Sequence, residues 1–208
     1  MPLIQIPLND VFRCFNDGGL VLFGAGSEVK FDVMPCGWCA PWGLDRVLFT
    51  AGPNHCTREL AEVSDRFLLA TPTAGMAETV FRLGTTTMHE DPEKLSHAGL
   101  GFLPGLRVLP FPAGCSAWVI LRRVKEGLPQ FPNALLFGVA EEAWVDGDLW
   151  HEGRPLPEED LPLDKRRLRY EAGGRGMPQR AARGCFRALR AAGPVDLRDF
   201  LEPSATRL

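Results

Sequence analysis

Six short apolar runs, at positions 19–25, 29–34, 46–51, 66–71, 117–124 and 135–144, constrain this chain more than any other feature. Each is rich in Val, Leu, Phe or Trp, is bounded by Gly, Pro or Asn, and has the length of a strand. Gly26-Ser27, between the first two, reads as the turn of a hairpin. Between positions 54 and 99 the apolar spacing lengthens to a helical period. Thr57 is placed to cap a helix carrying Leu60 and Val63, and Thr73 one carrying Met76, Val80 and Leu83. Asp91 is placed to cap a third, with Pro92 in its first turn and Gly99 beyond its end. Strands, then three short helices, then strands again do not alternate as a doubly wound parallel sheet requires. The order predicts an antiparallel barrel with helices inserted between strands.

Glycine (22) and proline (18) fill 40 of 208 positions, which favours short elements and frequent turns. Apolar residues at 45% and charged residues at 24% are globular values, so a core can form and disorder is not expected. No stretch reaches the roughly 20 apolar residues of a membrane-spanning helix, and a soluble protein without a membrane partner is expected. The N-terminal MPLIQIPLND lacks a basic region followed by an apolar core, and six cysteines do not make a disulfide scaffold in a chain this long. Both observations predict a reducing cytoplasm and free thiols. The net charge of −3 gives no general attraction to nucleic acid. A local contrast exists: nine basic side chains lie between Lys165 and Arg190, after nine acidic ones between Glu141 and Asp164. With only Tyr170 and Phe186 interleaved, mutual pairing is the expected use of these charges, and no nucleic-acid partner is expected. Pro178 is placed to open a helix with Ala182, Cys185, Phe186 and Leu189 as its apolar stripe, stopped at Gly193-Pro194. Asp196 is placed to cap a last one. The chain is therefore divided into a barrel over 1–176 and a helical C-terminal extension over 177–208, whose stripe must cover its own barrel or a partner subunit.

Several segments, in order, resemble one family. Val33-Met34-Pro35-Cys36-Gly37-Trp38-Cys39-Ala40-Pro41 is similar to the stretch Asn-x-Met-x-x-x-Trp-x-x-Pro that ends a strand in flavin reductase-like, flavoredoxin-type FMN-binding split barrels. His55, Thr57 and Leu60 match the basic residue, Thr and Leu that follow in that family. Stretches 66–72 and 83–87 resemble its Glu-Phe-Val-Val-Asn-x-Pro strand and Cys-Gly-Thr-x-Ser turn. Glu93-Lys94-Leu95 with Ala98-Gly99-Leu100, then 136–141 and 168–175, continue the likeness. The resemblance implies a mainly β fold, a six-stranded antiparallel split β-barrel of the FMN-binding type with short inserted helices. It implies FMN as cofactor, NAD(P)H as possible co-substrate, a homodimer, and electron transfer from NAD(P)H through flavin to an acceptor or redox partner protein.

The residues carried over as cofactor-binding are Pro35, Cys36, Gly37 and Trp38 along the ring, and Asn54, His55, Thr57, Thr85, Thr86, Thr87 and Lys94 around the phosphate. Chemically, a hydroxyl and free amides at a helix start suit a phosphate. Hydride transfer is cofactor chemistry, so no obligatory acid or base is assigned; His55 or His89 is the first candidate for proton delivery. Three departures fall on the phosphate side. Asp32 stands where the motif has Asn, Thr87-Met88-His89 stands for Ser-Gly-Arg, and one residue is inserted before Lys94. Loss of an Arg contact removes about 1.5 to 3 kcal/mol, which keeps open an electron carrier or a degenerate barrel without nicotinamide turnover. Cys36-Gly37-Trp38-Cys39 also spells a CxxC, for which a thiol-redox role, or a metal site with His55 and Cys56, is the alternative; Pro41 argues against the helix that a redox CxxC needs.

Overall fold

The structure, a computed structural model, describes residues 1–16, 20–27, 29–105, 108–124 and 135–169. Its strands are β1 (Leu3–Gln5), β2 (Val21–Gly26), β3 (Phe31–Cys36), β4 (Cys39–Pro41), β5 (Arg46–Thr50), β6 (Arg66–Pro72), β7 (Cys115–Val124), β8 (Leu135–Asp146), β9 (Trp150–His151) and β10 (Arg154–Pro155). Its α-helices are α1 (Cys56–Val63), α2 (Ala77–Thr85) and α3 (Lys94–His97). Among the described residues the main sheet is antiparallel in the order β3-β2-β6-β7-β8-β5-β4, with β1 also on β8. The six apolar runs form its six long strands, β2, β3 and β5 to β8. β1 and β4, of three residues each, complete an eight-stranded sheet.

The sheet curls on itself. β2 and β5 are four strands apart along it, about 19 Å if it were flat, yet the rings of Phe23 and Phe49 are 4.8 Å apart edge to face. Phe67 of β6 completes the cluster, 5.7 Å from Phe23 and 5.3 Å from Phe49. Hiding each of these rings contributes about 1.5 to 3 kcal/mol, and their mutual geometry about 0.5 to 1.5 more. The edge strands β3 and β4 meet through Gly37-Trp38, where the Thr50 amide donates to the Trp38 carbonyl (3.1 Å) and the Cys36 thiol to the Thr50 carbonyl (3.0 Å).

Period-two alternation divides the apolar residues between two cores. Val21, Phe23, Phe67, Leu69, Val119 and Leu121 point into the barrel. Leu22, Leu68, Trp118 and Ile120 point outward, under Met76, Val80 and Leu83 of the segment that forms α2. Gly138 of β8 has no room for a side chain: a Cβ there would lie 2.7 Å from both Phe67 and Leu121. In the β2–β3 turn, Gly26 adopts φ +131°, with the Lys30 carbonyl where a Cβ would stand.

The three helices occur where expected, with shifted ends. His55 is the N-cap of α1, so Thr57 lies inside the first turn and is buried, not capping. Val63 is 87% exposed, so of the two predicted stripe residues only Leu60 packs inward, beside the buried Ala61. The Thr73 hydroxyl donates to the Gly114 carbonyl (2.8 Å) instead of capping, and a 3₁₀ turn, Ala74–Met76, precedes α2. Asp91 accepts the Glu93 amide (3.0 Å) and Gly99 at φ +72° ends the turn after α3. The acidic and basic stretches meet through Arg169 and Glu158, 2.9 Å apart. The extension predicted over 177–208 lies outside the described residues.

Candidate functional site

Against the edge strand β3, the N-terminus of α1, the end of α2 and the start of α3 surround a cavity of about 310 Å³. Because β3 is an edge, both of its faces reach this space: Asp32 and Met34 from one, Pro35 from the other. His55, Cys56 and Thr57 enter from α1, Leu83 to Thr87 from the end of α2, then Glu90 and Lys94. Of the residues predicted from sequence, Pro35, His55, Thr57, Thr85, Thr86, Thr87 and Lys94 line it together. Cys36, Gly37, Trp38 and Asn54 do not. Cys36 turns into the barrel core, and Trp38 is 70% exposed on the β3–β4 corner. Asn54 is exposed in the turn before α1.

The donors are unequally available. The first-turn amides of α1, at Cys56, Thr57 and Arg58, have no intrahelical acceptor, and His55 gives no side-chain cap bond. The Thr85 hydroxyl donates back to the Phe81 and Arg82 carbonyls (3.2 Å each). The Thr87 oxygen accepts the His89 amide (3.3 Å), which leaves its proton available.

Sequence reasoning did not assign Asp32, which is the centre of the site's polar structure. Its carboxylate is buried, and Oδ2 accepts the Thr57 hydroxyl at 2.5 Å. Oδ1 lies 3.0 Å from the Lys94 ammonium and accepts the Val33 amide at 2.8 Å. Three hydrogen bonds, one from a cation, are what a buried carboxylate needs to offset its lost hydration. Thr57 and Lys94, expected to face a phosphate, are thus held by an anion of the chain itself. Asp32 standing in the motif's Asn place was the one available signal. Nearby, burial first and the Asp32 charge second raise the pKa of the Cys56 thiol.

The CxxC does not have the setting of a redox pair. Cys36 ends β3 and Cys39 begins β4, no helix follows, and burial raises both thiol pKa values. Among the described residues no group of three or more His, Cys, Asp or Glu is arranged to hold a metal ion. A second cavity, of about 400 Å³, lies near Cys14, Thr71 and Trp150. Its cations are engaged: Arg13 pairs with Asp10, Arg169 with Glu158, and Arg167 donates to the Cys14 carbonyl.

The curled antiparallel sheet with its edge-strand cavity defines a split barrel, and solved structures agree. The FMN-binding domain of a flavin reductases-like enzyme from Shewanella baltica OS155 is similar over 94% of this chain and 98% of its own, at 27% identity and a TM-score of 0.77. Flavoredoxin from Methanosarcina acetivorans matches over 79% of this chain and 92% of its own, at 17% identity and a TM-score of 0.59. An FMN-binding protein from Thermus thermophilus matches over 67% and 78%, at 21% identity and a TM-score of 0.57. In fold, the chain is a flavin reductase-like, flavoredoxin-type split barrel. No family model and no curated protein matches its sequence. Among the described residues no helix is long and apolar enough to cross a membrane.

Proposed function

We propose that the chain binds FMN in the cavity beside β3 and carries electrons from NAD(P)H through the flavin to an acceptor. The observation that carries this reading is the N-terminus of α1, without a side-chain cap and opening into a cavity lined by Pro35, His55, Thr86, Thr87 and Lys94. The donor set fits a flavin phosphate: three first-turn amides, the Thr87 hydroxyl and the Lys94 protons not directed at Asp32. Met34, Pro35 and Leu83 supply an apolar wall. When bound, the isoalloxazine accepts a hydride from nicotinamide and passes electrons on. The chain's contribution is to hold and orient; His55, exposed at the cavity, is the side chain placed to move a proton.

The similar solved proteins support flavin binding, and the FMN-binding domain from Shewanella baltica, similar over nearly the full length, supports it most. A homodimer belongs to the same reading. Trp38, Trp42 and Leu44, 70%, 58% and 53% exposed around β4, form the apolar surface that a second copy would cover. A cytoplasmic location is supported by Cys14, Cys36, Cys39, Cys56 and Cys115, all free thiols.

The test is the visible spectrum of the purified protein before and after FMN, then after NADH or NADPH without oxygen. A two-band flavin spectrum that bleaches with one nicotinamide is expected. Binding without bleaching would mark an electron carrier reduced by a partner protein, and no binding would refute the proposal. Light scattering after gel filtration reads the dimer, which Trp42→Glu is expected to weaken.

A further inference from the structure

We propose that Asp32 is a built-in competitor for the phosphate end of the cavity, so that the protein selects a flavin by its ring and ribityl chain and gains little from the phosphate. The inference rests on the flavin reading above and names the ligand class that this site favours. Thr57 and Lys94 are the buried hydroxyl and the buried ammonium of the cavity wall, and both already bind a carboxylate. Lys94 is the sole Lys or Arg among the described residues lining the cavity, where Asp32 and Glu90 are two acids. With two carboxylates against one ammonium the wall leans negative, and a phosphate dianion meets the repulsion that a neutral alcohol avoids. The first-turn amides of α1 compensate in part through the helix dipole, which acts over short range. A dianion can take the Thr57 proton, or the Lys94 proton that Asp32 holds, only by leaving the buried carboxylate without it, which is unfavourable. Asp32→Asn keeps the shape, removes the charge and frees Lys94 to face the ligand.

The experiment measures dissociation constants for FMN and riboflavin, by flavin fluorescence, for the wild type and Asp32→Asn. In the wild type the two constants are expected to agree within about tenfold, because the phosphate's contacts and its repulsion offset each other. In Asp32→Asn, FMN is expected to bind roughly 10- to 100-fold more tightly and riboflavin to change by less than about threefold. Inorganic phosphate, acting as the anion alone, is expected to raise the melting temperature of Asp32→Asn more than that of the wild type. A wild-type preference for FMN of a hundredfold or more overturns the inference without any variant and leaves the flavin reading standing. An FMN-to-riboflavin ratio unchanged by Asp32→Asn overturns it likewise. Failure of both proteins to bind either flavin removes the flavin reading itself, and this inference with it.

Discussion

Replacing Lys94 by Met tests whether the Asp32 cluster holds the wall of the site together. The two side chains are 3% and 2% exposed and their charges stand 3.0 Å apart. At an effective dielectric constant near 20, that separation corresponds to about 5 kcal/mol of attraction. Desolvation of both ions offsets much of it while the pair is intact, but removing one partner leaves the other buried and uncompensated. The Thr57 hydroxyl and the Val33 amide still bind the carboxylate after the change, so part of its solvation survives. The expected loss is about 3 to 5 kcal/mol, the range for breaking a buried pair. Asp32→Asn/Lys94→Met carries neither charge, and is expected to recover at least about 2 kcal/mol relative to Lys94→Met alone. Urea unfolding at neutral pH reads both values through the transition midpoint and slope. A Lys94→Met midpoint equal to wild type, or a double variant that loses the sum of the two single losses, would refute the argument that burial makes this pair matter.

Four other consequences can be checked directly. Gly138→Val places atoms against Phe67 and Leu121 inside the barrel and is expected to cost at least about 1 to 3 kcal/mol by thermal or urea unfolding. The thiols of Cys36 and Cys39 are buried with raised pKa values, so a disulfide-exchange reagent is expected to label them slowly in the native protein and fully after unfolding. Nicotinamide oxidation in Cys36→Ser/Cys39→Ser is expected to stay near wild type, and its complete loss would restore the thiol mechanism. His97 donates to Asp91 at 2.8 Å, and that bond raises the His97 pKa and lowers that of Asp91. The stabilisation from His97 is complete below its ordinary value of 6.5 and is lost as pH rises through the raised folded value. That from Asp91 is present above 3.8 and is lost as pH falls through its lowered folded value. An imidazole NMR titration should give a His97 midpoint above 6.5 in the wild type that falls in Asp91→Asn.

The long strands were legible because burial on two faces leaves apolar runs of strand length between turn residues. Phe67, Leu68, Leu69 and Ala70 all being buried is the plainest case. β1, β4, β9 and β10 have two or three residues each, too few to show any period, and they exist only through the partners they pair with. Helix positions were legible but their caps were not: Thr57 and Thr73 are good cap residues by chemistry, and tertiary partners, Asp32 and the Gly114 carbonyl, take their hydroxyls instead. His55, Thr57, Thr85 and Lys94, which line the cavity, were singled out by the family resemblance and not by any period or spacing. The Asp32 cluster was not legible, because it joins residues 25 and 62 positions apart whose side chains, read singly, look like surface groups.

The same carboxylate also shapes the cavity, which links the stability of the site to its selectivity. α3 is a single turn of four residues, too short to stand by its own backbone bonds. It is held by Leu95, Ala98 and Leu100 against the outer core and by Lys94 reaching back to β3. Residues 86–93, which lead from α2 to α3, therefore have one end fixed by the Asp32–Lys94 contact. Removing the charge of Asp32 makes the cavity a better phosphate site and at the same time loosens its wall. The gain in FMN affinity and the loss in unliganded stability should then rise together among uncharged substitutions at position 32. Asp32→Glu makes the two separable: the longer carboxylate keeps the charge but cannot hold both Thr57 and Lys94 at their present distances. It is expected to lose stability without gaining affinity for FMN, and a gain there would show that looseness of the wall, not charge, limits binding.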